Sequence, residues 1–368
     1  MTRLLLRVLT GLMLPVAVAC AAPGSIGTPT AFPSGTPSGS PGATPSGSPG
    51  ATSHPPSTGA GPVVGPDGPW LVFAWFPDKL YLVRPDGTDR HSLALGDTLD
   101  SGSEGVPFAP SWSPDGQRIA FVMRTDVSGS LWTAAPDGSD ARLLYDSPEC
   151  TQSFWPVLSP DGKKLAMACY AERDGRTFSS VSVVDPATNE RTDLVTFDYP
   201  ETFDNPPSWS PDGSALTFEI IKWDPTDKFV ESSVVATVST AGGNVHRLTE
   251  PQLFGGHPDW SPDGSLIAFN TYDTGNIHGI TAPSNVYTIE PDGSHLTQLS
   301  TASVDGAMRL GQPFWSIDGA RIWVTVAYDL ERDSNDQFKN TLGWVDATTG
   351  VFTEIGTEGK RFRERPLP

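Results

Sequence analysis

Apolar residues along this chain fall in short runs, not in long stripes. Trp70-Leu71-Val72-Phe73-Ala74, Arg118-Ile119-Ala120-Phe121-Val122, Lys164-Leu165-Ala166-Met167-Ala168, Ala215-Leu216-Thr217-Phe218-Glu219, Leu266-Ile267-Ala268-Phe269-Asn270 and Arg321-Ile322-Trp323-Val324-Thr325 are rich in aliphatic and aromatic residues and bounded by turn residues, the pattern of strands. No segment shows a convincing 3.6-residue apolar stripe, which argues against a helical solenoid.

A phrase precedes five of these runs: Pro110-Ser111-Trp112-Ser113-Pro114-Asp115-Gly116, Pro156-Val157-Leu158-Ser159-Pro160-Asp161-Gly162, Pro207-Ser208-Trp209-Ser210-Pro211-Asp212-Gly213, Pro258-Asp259-Trp260-Ser261-Pro262-Asp263-Gly264 and Pro313-Phe314-Trp315-Ser316-Ile317-Asp318-Gly319. Gly65-Pro66-Asp67-Gly68 is a degenerate sixth copy, and the Asp residues recur at intervals of 48, 46, 51, 51 and 55. Ser-Pro-Asp-Gly suits a type I turn place by place: Ser accepts from the backbone, Pro presets φ, and Gly closes without a Cβ penalty. Each copy therefore predicts a hairpin tip. A second turn follows each run at Pro85-Asp86-Gly87, Pro136-Asp137-Gly138, Pro186-Ala187-Thr188-Asn189, Ala241-Gly242-Gly243-Asn244, Pro291-Asp292-Gly293 and Ala347-Thr348-Thr349-Gly350. Two hairpins per period make four strands, so residues 63–368 predict an all-β, six-bladed β-propeller. The first unit lacks an inner strand, whereas the last is followed by Arg361-Phe362-Arg363-Glu364-Arg365-Pro366-Leu367, a strand without a hairpin. The C-terminal strand is expected to join blade one and close the ring, removing open edges. Trp112, Leu158, Trp209, Trp260 and Trp315 recur once per blade and are expected to pack blade against blade.

Composition changes the picture at the N-terminus. Residues 1–19 combine Arg3 and Arg7 with an apolar stretch from Val8 to Ala19, too short to span a bilayer and typical of a secretory signal. From Cys20 to Pro62 there is no charged side chain, and a loose Thr-Pro-Ser-Gly-Ser-Pro-Gly-Ala repeat predicts a disordered tether over 20–62. The formal net charge is −19. An acidic chain without a clustered basic patch is a poor partner for nucleic acid, whose phosphates require Lys and Arg to displace counterions.

Two resemblances follow from these motifs. Ala17-Val18-Ala19-Cys20 resembles the lipobox of bacterial lipoproteins, with Ala17 where that motif prefers Leu. It implies a mature chain acylated at Cys20 and held on a membrane; the alternative is an ordinary cleaved signal. Trp-Ser-Pro-Asp-Gly followed by Ile/Leu-Ala-Phe resembles the WD40-like (PD40) repeats of TolB-like propellers. Leu158 and Ile317 depart from the repeat, as does the first copy, which lacks Trp and Ser. On this reading the expected anchor and tether stand where TolB carries an α/β domain ahead of its propeller, so TolB's role in envelope assembly is not expected to carry over.

Elaborated loops on a propeller gather on one face, opposite the tight turns, and that is where binding residues concentrate. Here those loops are acidic. Asp204, Trp223, His257, Asp273, His278 and Asp329 are the binding-face candidates. His257 and His278, with Asp204 and Asp273, are too few and scattered to predict a metal centre, and no metal or cofactor is expected. No catalytic residue is assigned, since the chain has no Gly-x-Ser-x-Gly elbow, no His-Glu-x-x-His and no phosphate-cradling Gly loop. Cys150 and Cys169 flank the Pro160-Asp161 tip, Cys169 at the end of the second strand, and are disulfide candidates; two reduced thiols are the alternative. The resulting expectation is an extracytoplasmic, lipid-anchored, monomeric binding or scaffolding propeller with a protein or cell-envelope ligand. An enzyme of glycan or peptide turnover working at the channel mouth is the rival, and a ligand-free spacer the third reading.

Overall fold

The computed structural model describes residues 70–75, 79–95, 106–124, 129–146, 150, 152–203, 205–226, 230–271, 284–301, 308–332, 338–358 and 360–365. They form six sheets arranged as blades. Blade two is β4 (Val106–Trp112), β5 (Ile119–Arg124), β6 (Gly129–Ala134) and β7 (Arg142–Asp146). Blade three is β8 (Gln152–Leu158), β9 (Leu165–Arg173), β10 (Arg176–Asp185) and β11 (Glu190–Asp198). In blade four the inner strand is split into β12 (Glu201–Thr202) and β13 (Ser208–Trp209), both paired with β14 (Ala215–Trp223), followed by β15 (Val230–Ser239) and β16 (His246–Arg247). Blade five is β17 (Gly255–Trp260), β18 (Ile267–Thr271), β19 (Val286–Ile289) and β20 (Thr297–Gln298); blade six is β21 (Met308–Trp315), β22 (Arg321–Arg332), β23 (Phe338–Asp346) and β24 (Phe352–Glu358). Blade one joins the chain ends: β25 (Lys360–Glu364) lies beside β1 (Leu71–Trp75), then β2 (Lys79–Val83) and β3 (His91–Ser92). The degenerate first tip at 65–68 and the tether lie outside the described residues.

The repeated phrase builds the same turn in every described copy. In blade two the Ser113 hydroxyl donates to Asp115 Oδ1 at 2.6 Å and accepts from the Arg118 N–H at 2.8 Å, while the Gly116 N–H reaches Ser113 O at 2.8 Å. Asp115 Oδ1 also takes the Gln117 N–H at 3.0 Å. Ser159/Asp161, Ser210/Asp212, Ser261/Asp263 and Ser316/Asp318 repeat the pattern. The tips also meet their neighbours. A Cβ added to Gly162, Gly213, Gly264 or Gly319 would sit 3.5–3.9 Å from Cδ of Pro114, Pro160, Pro211 or Pro262 on the preceding blade.

Most of the core lies between blades. Trp112 is buried among Trp70, Val72, Leu80 and Leu82 of blade one and Ile119 and Phe121 of its own blade. Trp315 occupies the same position between Ala268 and Val286 of blade five and Ile322 and Val324 of blade six. Burying such a side chain contributes about 2–3 kcal/mol. Trp112 Nε1 further donates to Arg363 O at 3.1 Å and Trp209 Nε1 to Val157 O at 2.9 Å, each a carbonyl on the preceding blade. The recurring indoles are inter-blade core, as their once-per-blade spacing implied.

Closure rests on β25. Glu364 pairs with Leu71 and Arg363 with Val72, and the Arg365 N–H donates to Trp70 O at 2.6 Å. Arg365 Nε bonds Gly116 O at 2.8 Å, and its guanidinium lies over the Trp112 ring of blade two. On the other flank Glu364 Oε2 accepts from Trp323 Nε1 at 3.1 Å and from the Ile317 N–H at 3.2 Å. Ile317 stands where the other tips have Pro, which has no N–H to give. That departure from the repeat supplies a donor at the seam.

Cys150 and Cys169 are joined as a disulfide, with S–S 2.00 Å and Cα–Cα 5.4 Å, inside the core between blades two and three. Cys169 pairs with Ser153 across the hairpin and lies in mid-strand, because β9 continues to Arg173 instead of ending there.

Two outcomes are expected. The Ser113, Ser159, Ser210, Ser261 and Ser316 hydroxyls hold Asp115, Asp161, Asp212, Asp263 and Asp318 below the usual carboxylate range, Asp212 at about 2. A depressed folded-state pKa gives stability that is complete above the unfolded value near 3.8 and lost as pH falls through the folded value. Denaturation midpoints should therefore fall steeply between about pH 4 and pH 2, and Asp212→Asn should flatten that slope; a midpoint independent of pH there would refute the turn assignment. Gly138 has φ +86°, and a Cβ there would lie 2.3 Å from Ala94 O, whereas Gly175, at φ +74°, has nothing within 4 Å. Gly138→Ala should thus cost about 2 kcal/mol or more and Gly175→Ala about 1 kcal/mol in urea denaturation.

Candidate functional site

Each inner strand of blades two to six carries a proline two residues before its recurring Trp, or before Leu158 in blade three, and the residue ahead of that proline is the key to the channel. Proline brings no N–H to the ladder, so the strand must bulge or break there. Register shifts occur between Phe108 and Ser111, Phe154 and Val157, Gly256 and Asp259, and Gly311 and Phe314. At the bulges Ala109, Trp155, His257 and Gln312 have φ of 49°, 62°, 51° and 52°. Left-handed backbone at a non-glycine residue costs about 1–3 kcal/mol each and persists only where the surroundings impose it.

These residues converge. Ala109, Trp155, Pro206, His257 and Gln312 line one recess at the ring centre together with Arg363 of the closing strand, so every blade contributes. About 500 Å³ of space free of protein atoms lies in and above the recess, open solvent included. Its wall has two characters. Ala109, Trp155, Val157, Pro110 and Pro156 make an apolar side, with the Trp155 ring packed on Phe108 at 4.9 Å between centroids; His257, Gln312 and Arg363 make a polar one.

The layer behind the wall repeats this division. At the fifth position of each strand run stand Ala74, Val122 and Ala168 in blades one to three, but Glu219, Asn270 and Thr325 in blades four to six. Glu219 is fully buried; its Oε2 accepts the His257 N–H at 2.9 Å and its Oε1 accepts from Asn205 Nδ2. Asn270 Oδ1 accepts the Gln312 N–H at 3.2 Å, and Thr325 Oγ1 donates to Gln312 Oε1 at 3.2 Å. Buried acceptors thus satisfy the amides that the bulges pull out of the ladder.

Beside the recess, Asp259 Oδ1 accepts from Ser208 Oγ at 2.9 Å and Oδ2 from the Trp315 N–H at 2.8 Å. Burial pushes the Asp259 carboxyl up and the positive charge of Arg363 pulls it back down; burial likewise pushes Arg363 down, against the attraction of Asp259. The Arg363 guanidinium also lies 5.0 Å from the Phe314 ring centroid. One network therefore joins blades four, five, six and one.

Of the residues singled out from sequence, His257 lines the recess. Trp223 does not: it ends β14, where its Nε1 donates to Thr202 Oγ1 at 2.9 Å. Asp329 lies in β22, and Asp204, Asp273 and His278 are outside the described residues. Among the described residues no group of three or more His, Cys, Asp and Glu is placed to hold a metal ion. Trp155, Gln312, Arg363, Asp259 and Glu219 escaped the sequence reading. Glu219 was visible as a carboxylate inside the apolar run Leu216-Thr217-Phe218-Glu219-Ile220-Ile221, and the lining residues as the one variable position ahead of a recurring proline.

Glu219→Ala would leave the His257 N–H and Asn205 amide facing a cavity. It should cost about 2–4 kcal/mol in equilibrium unfolding, with a smaller loss for Glu219→Gln, which keeps one acceptor. Equal losses would mean that volume, not hydrogen bonding, is what Glu219 contributes.

No protein-family model matches the chain. It is 27% identical over 227 residues to an uncharacterized protein of Agrobacterium fabrum, covering 61% of this chain and 66% of that one. It is 25% identical over 179 residues to the uncharacterized peptidase YuxL of Bacillus subtilis, where it spans 48% of this chain but 23% of the relative's length. Among solved structures, TolB from Acinetobacter baumannii superposes with a TM-score of 0.56 at 19% identity, covering 81% of this chain and 66% of that one. A putative TolB from Agrobacterium tumefaciens superposes at 0.55 and 16% identity, covering 81% of this chain and 98% of that one. In fold, the chain is a six-bladed propeller of the TolB-like kind.

Proposed function

We propose that this chain is a binding module working outside the cytoplasm, lipid-anchored through Cys20 and carried on the 20–62 tether, and that its monomeric propeller engages a protein or cell-envelope ligand at the central recess. One observation carries this reading: the bulged backbone repeats in four blades while the side chain it presents does not. A purely structural position would repeat its residue along with its conformation, as the tip Ser and Asp do. Ala109, Trp155, His257 and Gln312 instead give four chemistries on one scaffold, and Pro206 adds a fifth where the inner strand of blade four is split. A concave, largely preformed wall with an aromatic side and a few fixed polar groups is the usual form of a ligand site. Elaborated connections on one face of the propeller add surface for a large partner.

The similarity to a peptidase over part of that protein's length favours a second reading, in which the propeller serves an enzyme of peptide or glycan turnover. The perturbed groups near the recess support binding over catalysis. Asp259 and Glu364 are held by backbone and indole donors as parts of the ring, which leaves them poorly placed as proton carriers.

Crosslinked captures from envelope extracts test the choice. Species captured by the full chain should be lost with Trp155→Ala and with Gln312→Ala while both variants retain a cooperative melt, and the chain should release no product from peptide or glycan pools. Undiminished capture by both folded variants would remove the recess from the function, and steady turnover would favour the enzyme.

A further inference from the structure

Three features meet at the seam between blades two and three: a buried disulfide, a cation on its sulfurs and an open cleft. The Arg191 guanidinium, on the outer strand β11, places Nη1 3.0 Å from Cys150 Sγ and 3.4 Å from Cys169 Sγ. Its other nitrogens hold Asp193, Nε at 3.0 Å from Oδ1 and Nη2 at 3.3 Å from Oδ2. Asp193 is itself fixed, accepting from Ser182 Oγ at 2.7 Å and from Ser180 Oγ at 3.3 Å. Otherwise the sulfurs sit among Val122, Leu131, Tyr145, Leu165 and Met167. Asp193 also lines a cleft of about 520 Å³ with Asp174, Arg176, Phe178, Thr196 and Asp198, so Arg191 stands between the cleft wall and the sulfurs. A disulfide is uncharged and gains little from a guanidinium, whereas a thiolate gains much more. The charge at this seam thus suits the reduced sulfurs better than the oxidised ones.

We infer that the Cys150–Cys169 bond is a redox-responsive clamp, opened by a dithiol and set by Arg191 and Asp193. A thiolate of the dithiol attacks one sulfur, the Cys150–Cys169 bond breaks and a mixed disulfide forms; the second thiol of the reductant then displaces the protein sulfur. Two electrons pass to the protein and the reductant leaves as a cyclic disulfide. Of its two protons, one stays on a protein sulfur and one goes to water, which leaves a thiolate beside Arg191. Whatever stabilises the reduced form makes a disulfide easier to reduce. Arg191 pulls toward reduction, and Asp193, by countering its charge, pulls back. Cys150 lies between the end of β7 at Asp146 and the start of β8 at Gln152, so the bond ties the passage between blades to β9, where Cys169 pairs with Ser153. Two later passages are held by hydroxyls instead: Thr249 Oγ1 accepts the Val235 N–H and Ser300 Oγ the Val286 N–H, each at 3.0 Å. Here the same duty falls on a bond that a reductant opens. The clamp lies apart from the central recess and works whatever binds there.

The test equilibrates the folded chain in mixtures of reduced and oxidised dithiothreitol and reads the Cys150–Cys169 bond by alkylation and peptide mass spectrometry. Arg191→Met should make reduction about tenfold harder, a shift of about 30 mV for this two-electron couple. Asp193→Asn, which keeps an acceptor for the serines but removes the countercharge, should move the equilibrium the opposite way. Opposite signs are decisive, because a seam merely loosened by a poorer side chain would shift both variants in the same direction. Shifts of one sign, or none with Arg191→Met, would overturn the role given to the pair. In the unaltered protein, reduction should speed hydrogen exchange at the amides of β8 while those of β18 keep their protection, a readout that needs no variant to fold. A bond that stays closed until the whole chain unfolds, or exchange in β8 that is the same in both redox states, would overturn the clamp.

Discussion

Pairing of Lys360–Glu364 with Leu71–Trp75 is the contact on which this structure depends. A propeller blade buries its faces only against the blades beside it, so an open ring would leave an unpaired strand edge and two unmatched faces. The closing strand meets this demand on both flanks at once. Arg365 fastens it to the tip of blade two, Glu364 fastens it to blade six through Trp323 and Ile317, and the Arg363 carbonyl receives the Trp112 indole. Burial raises the Glu364 carboxyl, and its two donors, Trp323 and Ile317, are the main groups that oppose that rise, with a smaller pull from the charge of Arg321. The seam is therefore a polar lock inside an otherwise apolar inter-blade core, and the residue at its centre also faces the channel.

The channel follows from a second constraint, the proline of each inner strand. A residue before proline is ordinarily driven to extended backbone. In four blades the ring instead holds it left-handed, at a cost the inter-blade core must offset. What this achieves is direction: the bulge turns one side chain per blade toward the axis. On the side of blades four to six the displaced amides are met by Glu219 and Asn270, so polarity in the lining is matched by polarity behind it. The division of the recess into two characters is accordingly built through two layers of residues.

Much of the fold was legible in the sequence because its determinants are local. Ser-Pro-Asp-Gly specifies a turn from its own side chains, alternating runs specify strands, and counting strands exposes an inner strand missing at one end and spare at the other. The recess was not legible in the same way. X-Pro reads as extended chain, and nothing local announces that Ala109, Trp155 or Gln312 will be forced to positive φ; that comes from the packing of six blades. His257 is legible because it stands just before an inner strand, at the channel mouth, whereas the C-terminal segment announces its pairing and not the placement of the Arg363 side chain. Cys169 shows the ordinary limit on boundaries: its strand runs on to Arg173, since β9 and β10 continue pairing past the disulfide.

Charge gives the two ends of the ring different tasks. Asp86, Asp115, Asp137, Asp161, Asp212, Asp263, Asp292, Asp318 and Asp346 all sit in tight turns, where local hydroxyl and amide donors keep them ionised, and they account for a large part of the net charge of −19. Those carboxylates stabilise the turns whatever the ligand is, and at a distance they repel anions. Screening over about 10 Å at 0.1 M salt mutes that repulsion, while a guanidinium inside a half-closed recess is screened far less. How accurately the closing strand is seated sets where Arg363 meets the recess, and the same seating holds the ring together.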